Sequence, residues 1–165
     1  MTKRALLALV LLALLAGGAS AFSFGGGLVF DAGWLGSQDH YAFGAWGFVD
    51  PLPFLELSVG LLGGTFERGH WDESATLFAM DISLLGKLPF YLGGMDIFPL
   101  LGVGGSLMIY PVLFIRPKFG AGADLDIRRN LFIRASVLGS YNFEVFGGGG
   151  NGFGLTTKVG IGSRR

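Results

Sequence analysis

The sequence predicts an all-β protein, an eight-stranded antiparallel up-and-down transmembrane β-barrel behind a cleaved signal peptide. Three observations carry that reading. First, the stretch PKFGAGADLDIRR sorts its residues by parity: Ile115, Pro117, Phe119, Ala121, Ala123, Leu125 and Ile127 are apolar, and the interleaved Arg116, Lys118, Gly120, Gly122, Asp124, Asp126 and Arg128 are charge and glycine. Successive side chains leave a pleated strand on opposite faces, so this is a strand with one oily and one polar face. Second, the chain is 51% hydrophobic and only 15% charged, against roughly 25% charged in an average soluble domain. Beyond residue 21, however, no apolar run approaches the ~20 residues of a spanning helix. Third, turn signals cut the remaining chain into eight segments. A hydrophobic chain without spanning helices can cross a bilayer only as a closed barrel, because closure satisfies every backbone N–H and C=O.

The chain begins MTKRALLALVLLALLAGGASAF. Lys3 and Arg4 precede an apolar run from Ala5 to Ala16, and Ala19, Ser20 and Ala21 form a small-residue cleavage site before Phe22. That layout predicts a signal peptide over residues 1–21 and a barrel over residues 22–165; the apolar run is too short and wrongly flanked for an anchor helix. Cleavage removes two of the 12 basic residues and none of the 12 acidic ones, leaving 10 against 12, so no basic surface for nucleic acid is expected. The absence of cysteine excludes disulfides, thiolate metal sites and lipidation at a cysteine.

The eight segments follow in order. In the first, Phe22, Phe24, Leu28, Phe30, Ala32 and Trp34 oppose Ser23, Gly25, Gly27, Asp31 and Gly33. The second, Tyr41 to Val49, alternates too poorly to choose a face. The third sets Leu55, Leu57, Val59 and Leu61 against Glu56, Ser58, Gly60 and Leu62, and the fourth sets Thr76, Phe78, Met80, Ile82 and Leu84 against Leu77, Ala79, Asp81, Ser83 and Leu85. In the fifth, Leu101, Val103, Leu107 and Ile109 turn outward with Gly105, and Gly102, Gly104 and Ser106 turn inward. The sixth is the stretch already described. The seventh opposes Ile133, Ala135, Val137, Gly139 and Tyr141 to Arg134, Ser136, Leu138 and Ser140; the eighth opposes Leu155, Thr157, Val159 and Ile161 to Thr156, Lys158, Gly160 and Gly162.

Turn signals between them are GSQDH at 36–40, DPLP at 50–53, ERGHWDE at 67–73, GKLP at 86–89, YPVL at 110–113, RRN at 128–130 and GGGGNG at 147–152. Each strand is then about ten residues, the length a tilted strand needs to cross a bilayer. An even strand number returns both termini to one side, the periplasm after export. Trp34, Tyr41, Trp71, Tyr110, Tyr141 and Phe143 then mark the outer girdle, and Phe22, Phe24, Phe54, Phe90 and Tyr91 the inner one, with Trp46, Phe78 and Phe119 between. Pro99 and Pro117 cannot donate to a ladder and are expected at strand starts or bulges.

The leader, the eight alternating segments and the glycine-rich, charge-bearing inner face resemble the small eight-stranded outer-membrane β-barrels, such as the OmpA transmembrane domain, OmpX and OmpW. The resemblance covers the whole mature chain as a pattern, without a single motif. It implies the bacterial outer membrane as location, and membrane lipids, including lipopolysaccharide or an equivalent outer-leaflet lipid, and the outer-membrane assembly machinery as partners. The C-terminal GIGSRR departs from the terminal aromatic residue usual in that family.

The expected lipid face includes Phe30, Leu57, Val59, Phe78, Met80, Ile82, Phe119, Leu125, Val137 and Val159. The expected bore carries Asp31, Glu56, Asp81, Asp124 and Asp126 with Lys118, Arg134 and Lys158, and Arg116 near the rim. An eight-stranded barrel is narrow enough for side chains to fill, and buried charges must be paired and hydrogen-bonded. The inward glycines leave room for long charged side chains. This predicts a self-neutralising plug and a structural or surface role, non-enzymatic, with no cofactor and no metal. The alternative is a narrow channel or conduit for ions or small hydrophobic molecules; a soluble lipocalin-like binder would need the inside-out arrangement. Ser37, Asp39 and His40 lie too close in one turn to align as nucleophile, base and orienter. Glu67, His70, Asp72 and Glu73, with Asp39 and His40, lack a diagnostic ligand spacing. Gly147, Gly149 and Gly152 match G-x-G-x-x-G without the strand-turn-helix unit that gives the motif its meaning.

Overall fold

The computed structural model describes residues 22–36, 38–67, 75–108, 112–146 and 150–164. The leader, Ser37, His70, Trp71, Asp72, Glu73, Ile109, Tyr110, Gly147 and Gly149 lie outside the described residues. The described residues form nine antiparallel strands: β1 (Ser23–Leu35), β2 (Gln38–Leu52), β3 (Leu55–Glu67), β4 (Ala75–Lys87), β5 (Phe90–Leu92), β6 (Met95–Met108), β7 (Val112–Arg128), β8 (Leu131–Phe146) and β9 (Gly152–Arg164). Their order around the sheet is β4-β3-β2-β1-β9-β8-β7-β6-β5, and pairing of β4 with β6 closes it.

The barrel has eight staves because β5 continues β4. Lys87 pairs with Leu100 and Phe90 with Ile97 in one unbroken register. The ladder lapses at Leu88 and Pro89, where Pro89 and the facing Pro99 both lack an N–H. The GKLP stretch is therefore not the turn its composition suggests. The chain reverses at Gly93 and Gly94, with Leu92 paired to Met95. Both glycines have positive φ, 58° and 90°, as a two-residue hairpin turn requires. Pro99 and Pro117 likewise sit inside β6 and β7, not at starts or bulges. The β7–β8 ladder skips Arg116 and Pro117 and resumes at Lys118 in the same register.

Apart from β5 the strands run 13 to 17 residues, longer than the expected ten. The surplus lies at the strand ends, where residues read from composition as turns, such as Gln38 to His40 and Asp50 to Leu52, still pair. Termini and short turns share one end, expected from the sequence to be the periplasmic one and named so.

The strand whose face the sequence leaves open is settled by burial. Ala42, Trp46, Phe48 and Leu52 point into the bore, and Tyr41 and Phe43 point out. Trp46 stacks on Phe48 at 4.9 Å between centroids, and Phe48 meets Phe132 at 6.1 Å. Many inward glycines serve these rings or the backbone rather than the charges. A Cβ on Gly27 or Gly160 would strike the facing backbone across the β1–β9 seam, and one on Gly162 would strike the Phe132 ring. Gly104 does make room for a charged chain, since its Cβ would come within 2.8 Å of Lys118 Cε.

Candidate functional site: the bore

The two-residue period that turns leucine, valine and phenylalanine outward turns the charged residues of the same strands inward. The ten residues assigned to the lipid face are 37 to 57% exposed and form an apolar belt. Inside, five acids (Asp31, Asp50, Glu56, Asp81, Asp124) and five bases (Lys87, Arg116, Lys118, Arg134, Lys158) are buried among the described residues, each no more than 7% exposed. Burial of this kind is tolerated only with near-complete pairing.

In the periplasmic half the centre is Arg134 on β8. Its Nε and Nη2 donate to Asp124 at 2.6 and 2.7 Å, a two-pronged contact with one carboxylate. Nη1 donates to Glu56 at 2.9 Å and to Asp50 at 3.2 Å, and Nη2 donates to the other Asp50 oxygen at 2.8 Å. A guanidinium has five N–H groups, and this one makes five contacts. Asp50 also accepts from Lys87 Nζ at 2.6 Å and Ser23 Oγ at 2.7 Å. The guanidinium carbon lies 4.0 Å from the Phe48 ring centre, with Phe132 and Phe98 at 5.2 and 5.3 Å.

In the outward half the centre is Arg116 on β7. Nη2 donates to both oxygens of Asp31 at 3.1 Å and to Ser140 Oγ at 3.0 Å, and Nη1 donates to Asp81 at 3.1 Å. Asp31 also accepts from Thr156 Oγ1 and lies 3.3 Å from His40 Nε2. Lys118 Nζ donates to Asp81 at 2.5 Å and Ser83 Oγ at 2.6 Å. Here the pairing is incomplete: Arg116 Nε and Asn142 Oδ1 are buried without a partner. Both residues line a cavity of about 10 Å³ together with His40 and Ser106, close to the space one water needs.

Lys158 stands apart from both clusters. Its Nζ donates to Ser58 Oγ at 3.1 Å and lies 4.9 Å from the Trp46 ring centre. No carboxylate among the described residues comes within ion-pair distance of it. The other four buried bases each contact at least one.

Of the nine charged residues expected in the bore, eight are buried there, Arg116 among them. Asp126 is the correction. Asp126 keeps the register of Asp124, paired with the inward Phe132, but it stands where the bore opens at the periplasmic rim and is exposed there, accepting from Arg164 Nη1 at 2.9 Å. Arg164 also contacts Asp96 at 2.8 Å and Asp124 at 3.3 Å. Asp50, Lys87 and His40 are bore residues that composition hides, because each falls in a stretch that reads as a turn. Counting by twos from Trp46 to Asp50, or from Asp81 to Lys87, finds two of them. Asp39 is exposed and its neighbour His40 buried on the opposite face of β2, so these two members of the Ser37, Asp39, His40 trio do not converge; Ser37, His70, Asp72 and Glu73 lie outside the described residues.

No family model matches the chain, and no curated protein matches it by sequence. Its fold does match solved structures. The outer membrane protein OprG from Pseudomonas aeruginosa superposes with a TM-score of 0.61 at 11% identity, over 90% of this chain and 97% of that one. A major outer membrane protein from Thermus thermophilus gives 0.55 at 13% identity, over 88% and 100%. Neisserial surface protein A gives 0.55 at 9% identity, over 87% and 97%.

Proposed function

From the fold of a small eight-stranded outer-membrane β-barrel, we propose an integral outer-membrane protein with a structural or surface role, non-enzymatic, whose bore is plugged by its own side chains. The observation that carries this is Arg134, which spends all five N–H groups on three carboxylates and is stacked about by three rings. A bore closed by so many mutual contacts resists hydration, because opening it separates several buried charges at once. The exterior is the complement: an apolar belt, with Trp34, Tyr41, Tyr141 and Phe143 exposed towards one end and Phe22, Phe54, Phe90 and Tyr91 towards the other, suits a bilayer and its interfaces.

Single-channel recording in planar bilayers tests the reading. The wild type is expected to pass no steady ionic current. A sustained current whose ion selectivity follows Lys118 or Arg134, without loss of stability when either is neutralised, would sink the plug. It would favour the second reading, a narrow conduit for ions or small hydrophobic molecules. Lys158 supports that reading, as a buried ammonium with no carboxylate at ion-pair distance among the described residues and therefore the bore cation least tied down there.

A further inference from the structure

The lipid face is not uniformly convex. Among the described residues a groove of about 430 Å³ opens on it between β2, β3, β4 and β6. Phe43, Leu61, Phe78, Met80 and Leu107, all 37 to 62% exposed, form its walls. One feature of the sequence opens it. Gly63 faces outward between Phe43 and Phe78, its neighbours in register, and supplies no side chain. Between those rings the groove reaches past the belt to Leu62, Ala79 and Met108, which form its floor.

We propose that this groove is a binding site for one acyl chain of an outer-leaflet lipid. The inference rests on the bilayer residence proposed above and adds to it a fixed site for a single chain. The groove lies on the belt that faces hydrocarbon, near the outward ends of β2, β3 and β6, so the occupant in reach is a chain of that leaflet. Its volume falls within the 300 to 1,000 Å³ range usual for small-molecule sites. An aliphatic chain, unlike a branched or aromatic side chain from a partner, fits a narrow slot walled by two phenylalanines and floored by leucine, alanine and methionine. Its binding removes apolar surface that loosely packed lipid cannot cover, and Met80 and Met108 can adapt to the chain's kinks.

The test uses the full chain reconstituted in dimyristoylphosphatidylcholine vesicles. Flotation with the vesicles checks bilayer residence on its own, and failure to float would overturn both readings. The floated protein is then extracted into detergent and its bound lipid counted by native mass spectrometry. One retained lipid is expected for the wild type, and about tenfold lower occupancy for Gly63→Leu, which fills the slot. A Cβ at Gly63 meets only the edge of Phe78 at 3.7 Å, so the variant is compatible with folding. Gly47→Leu is the control: it also faces lipid, has no Cβ contact closer than 3.7 Å, and lies off the groove. It is expected to retain the lipid as the wild type does. Equal occupancy in the wild type and Gly63→Leu, or no retained lipid in a wild type that floats, overturns the site. Should Gly63→Leu not fold, wild-type crystals grown with a dibromostearoyl phosphatidylcholine decide the matter: a bromine anomalous peak in the groove supports the site, and bromine signal spread evenly around the belt refutes it.

Discussion

Around Arg134 each guanidinium N–H reaches a carboxylate and three phenylalanine rings close over the cluster; around Arg116 the Nε–H is left over and a small cavity remains beside it. The two halves are made of the same materials, an arginine, a lysine and paired carboxylates, so composition does not explain the difference. Their neighbours do. The periplasmic half recruits Phe48, Phe98 and Phe132, flat groups that exclude water and pack on a guanidinium. The outward half sets small polar groups, Ser83, Ser140, Thr156 and Asn142, about its ions, and its apolar residues, Leu35, Leu62 and Phe114, line the cavity rather than cover the guanidinium. The small polar groups add acceptors and donors but fill less volume. The comparison predicts a stiff periplasmic half and a more yielding outward half.

Arg134→Met gives the sharpest test. Removing this side chain leaves Glu56 without its arginine contact, Asp124 with the longer Arg164 contact only, and Asp50 with Lys87 and Ser23 only. Breaking a buried pair by deleting one member costs roughly 3 to 5 kcal/mol, and a folding titration in detergent or vesicles should show a loss at or above that range. Adding Asp124→Asn should recover part of it, a non-additive result that marks the orphaned carboxylate as the source. Full additivity would mean the cluster is not coupled.

Arg116→Met should cost less, about 1 to 3 kcal/mol in the same titration. The carboxylates it leaves keep other partners: Asp31 retains Thr156 and His40, and Asp81 retains Lys118 and Ser83. A loss equal to that of Arg134→Met would erase the proposed difference between the halves. Phe48→Leu isolates the ring's share of the periplasmic cluster. The ring lies over the Arg134 guanidinium and also packs on Trp46 and Phe132. Desolvated cation–π contacts are worth up to about 2 kcal/mol, so a loss near 1 to 2 kcal/mol is expected. If the ring acts through the arginine, the loss should shrink when Phe48→Leu is made on the Arg134→Met background.

How much of this is open to reading along the chain depends on whether a segment carries sign as well as period. β7 alternates glycine and charge with apolar residues, so Lys118, Asp124 and Phe119 declare their faces. β2 puts Trp46 and Phe48 on one side and Tyr41 and Phe43 on the other. With aromatics on both, the period survives but does not say which face is the bore. Phe48, the ring nearest the Arg134 guanidinium, is hidden in the sequence for that reason, although Arg134, Glu56 and Asp124 themselves are legible. Asp50 and Lys87 escape for a different cause: each sits within two residues of a proline, and proline reads as a turn. In the structure those prolines interrupt or end a ladder whose neighbours remain paired, so local punctuation loses to the register of the whole sheet. Asp126 fails in reverse: it keeps the period of Asp124 but is the last step in register before the slip, where the bore opens, and parity along a strand says which face a residue takes, not how deep it lies.

The smallest expected effect, and the only one of uncommon sign, belongs to Lys158 between the two halves. Deleting a buried cation is destabilising when it strands an acid, and the neighbouring acids do not depend on this one: Glu56 is held by Arg134, and Asp81 by Arg116 and Lys118. What Lys158→Met removes is one hydroxyl contact with Ser58 and a ring contact with Trp46. What it relieves is the desolvation of an ammonium that no carboxylate among the described residues meets at ion-pair distance. Methionine has nearly the same length and a similar apolar stem, so little volume is lost. Replacing buried ionic groups by well-packed apolar ones is often neutral or stabilising by about 1 to 4 kcal/mol. With one ion and no pair involved, the change is expected to lie between zero and a gain of about 1 kcal/mol. A clear loss in the folding titration, comparable to that of Arg116→Met, would mean that Lys158 is tied to Glu56 or Asp81 in the folded barrel and that the two clusters are one network.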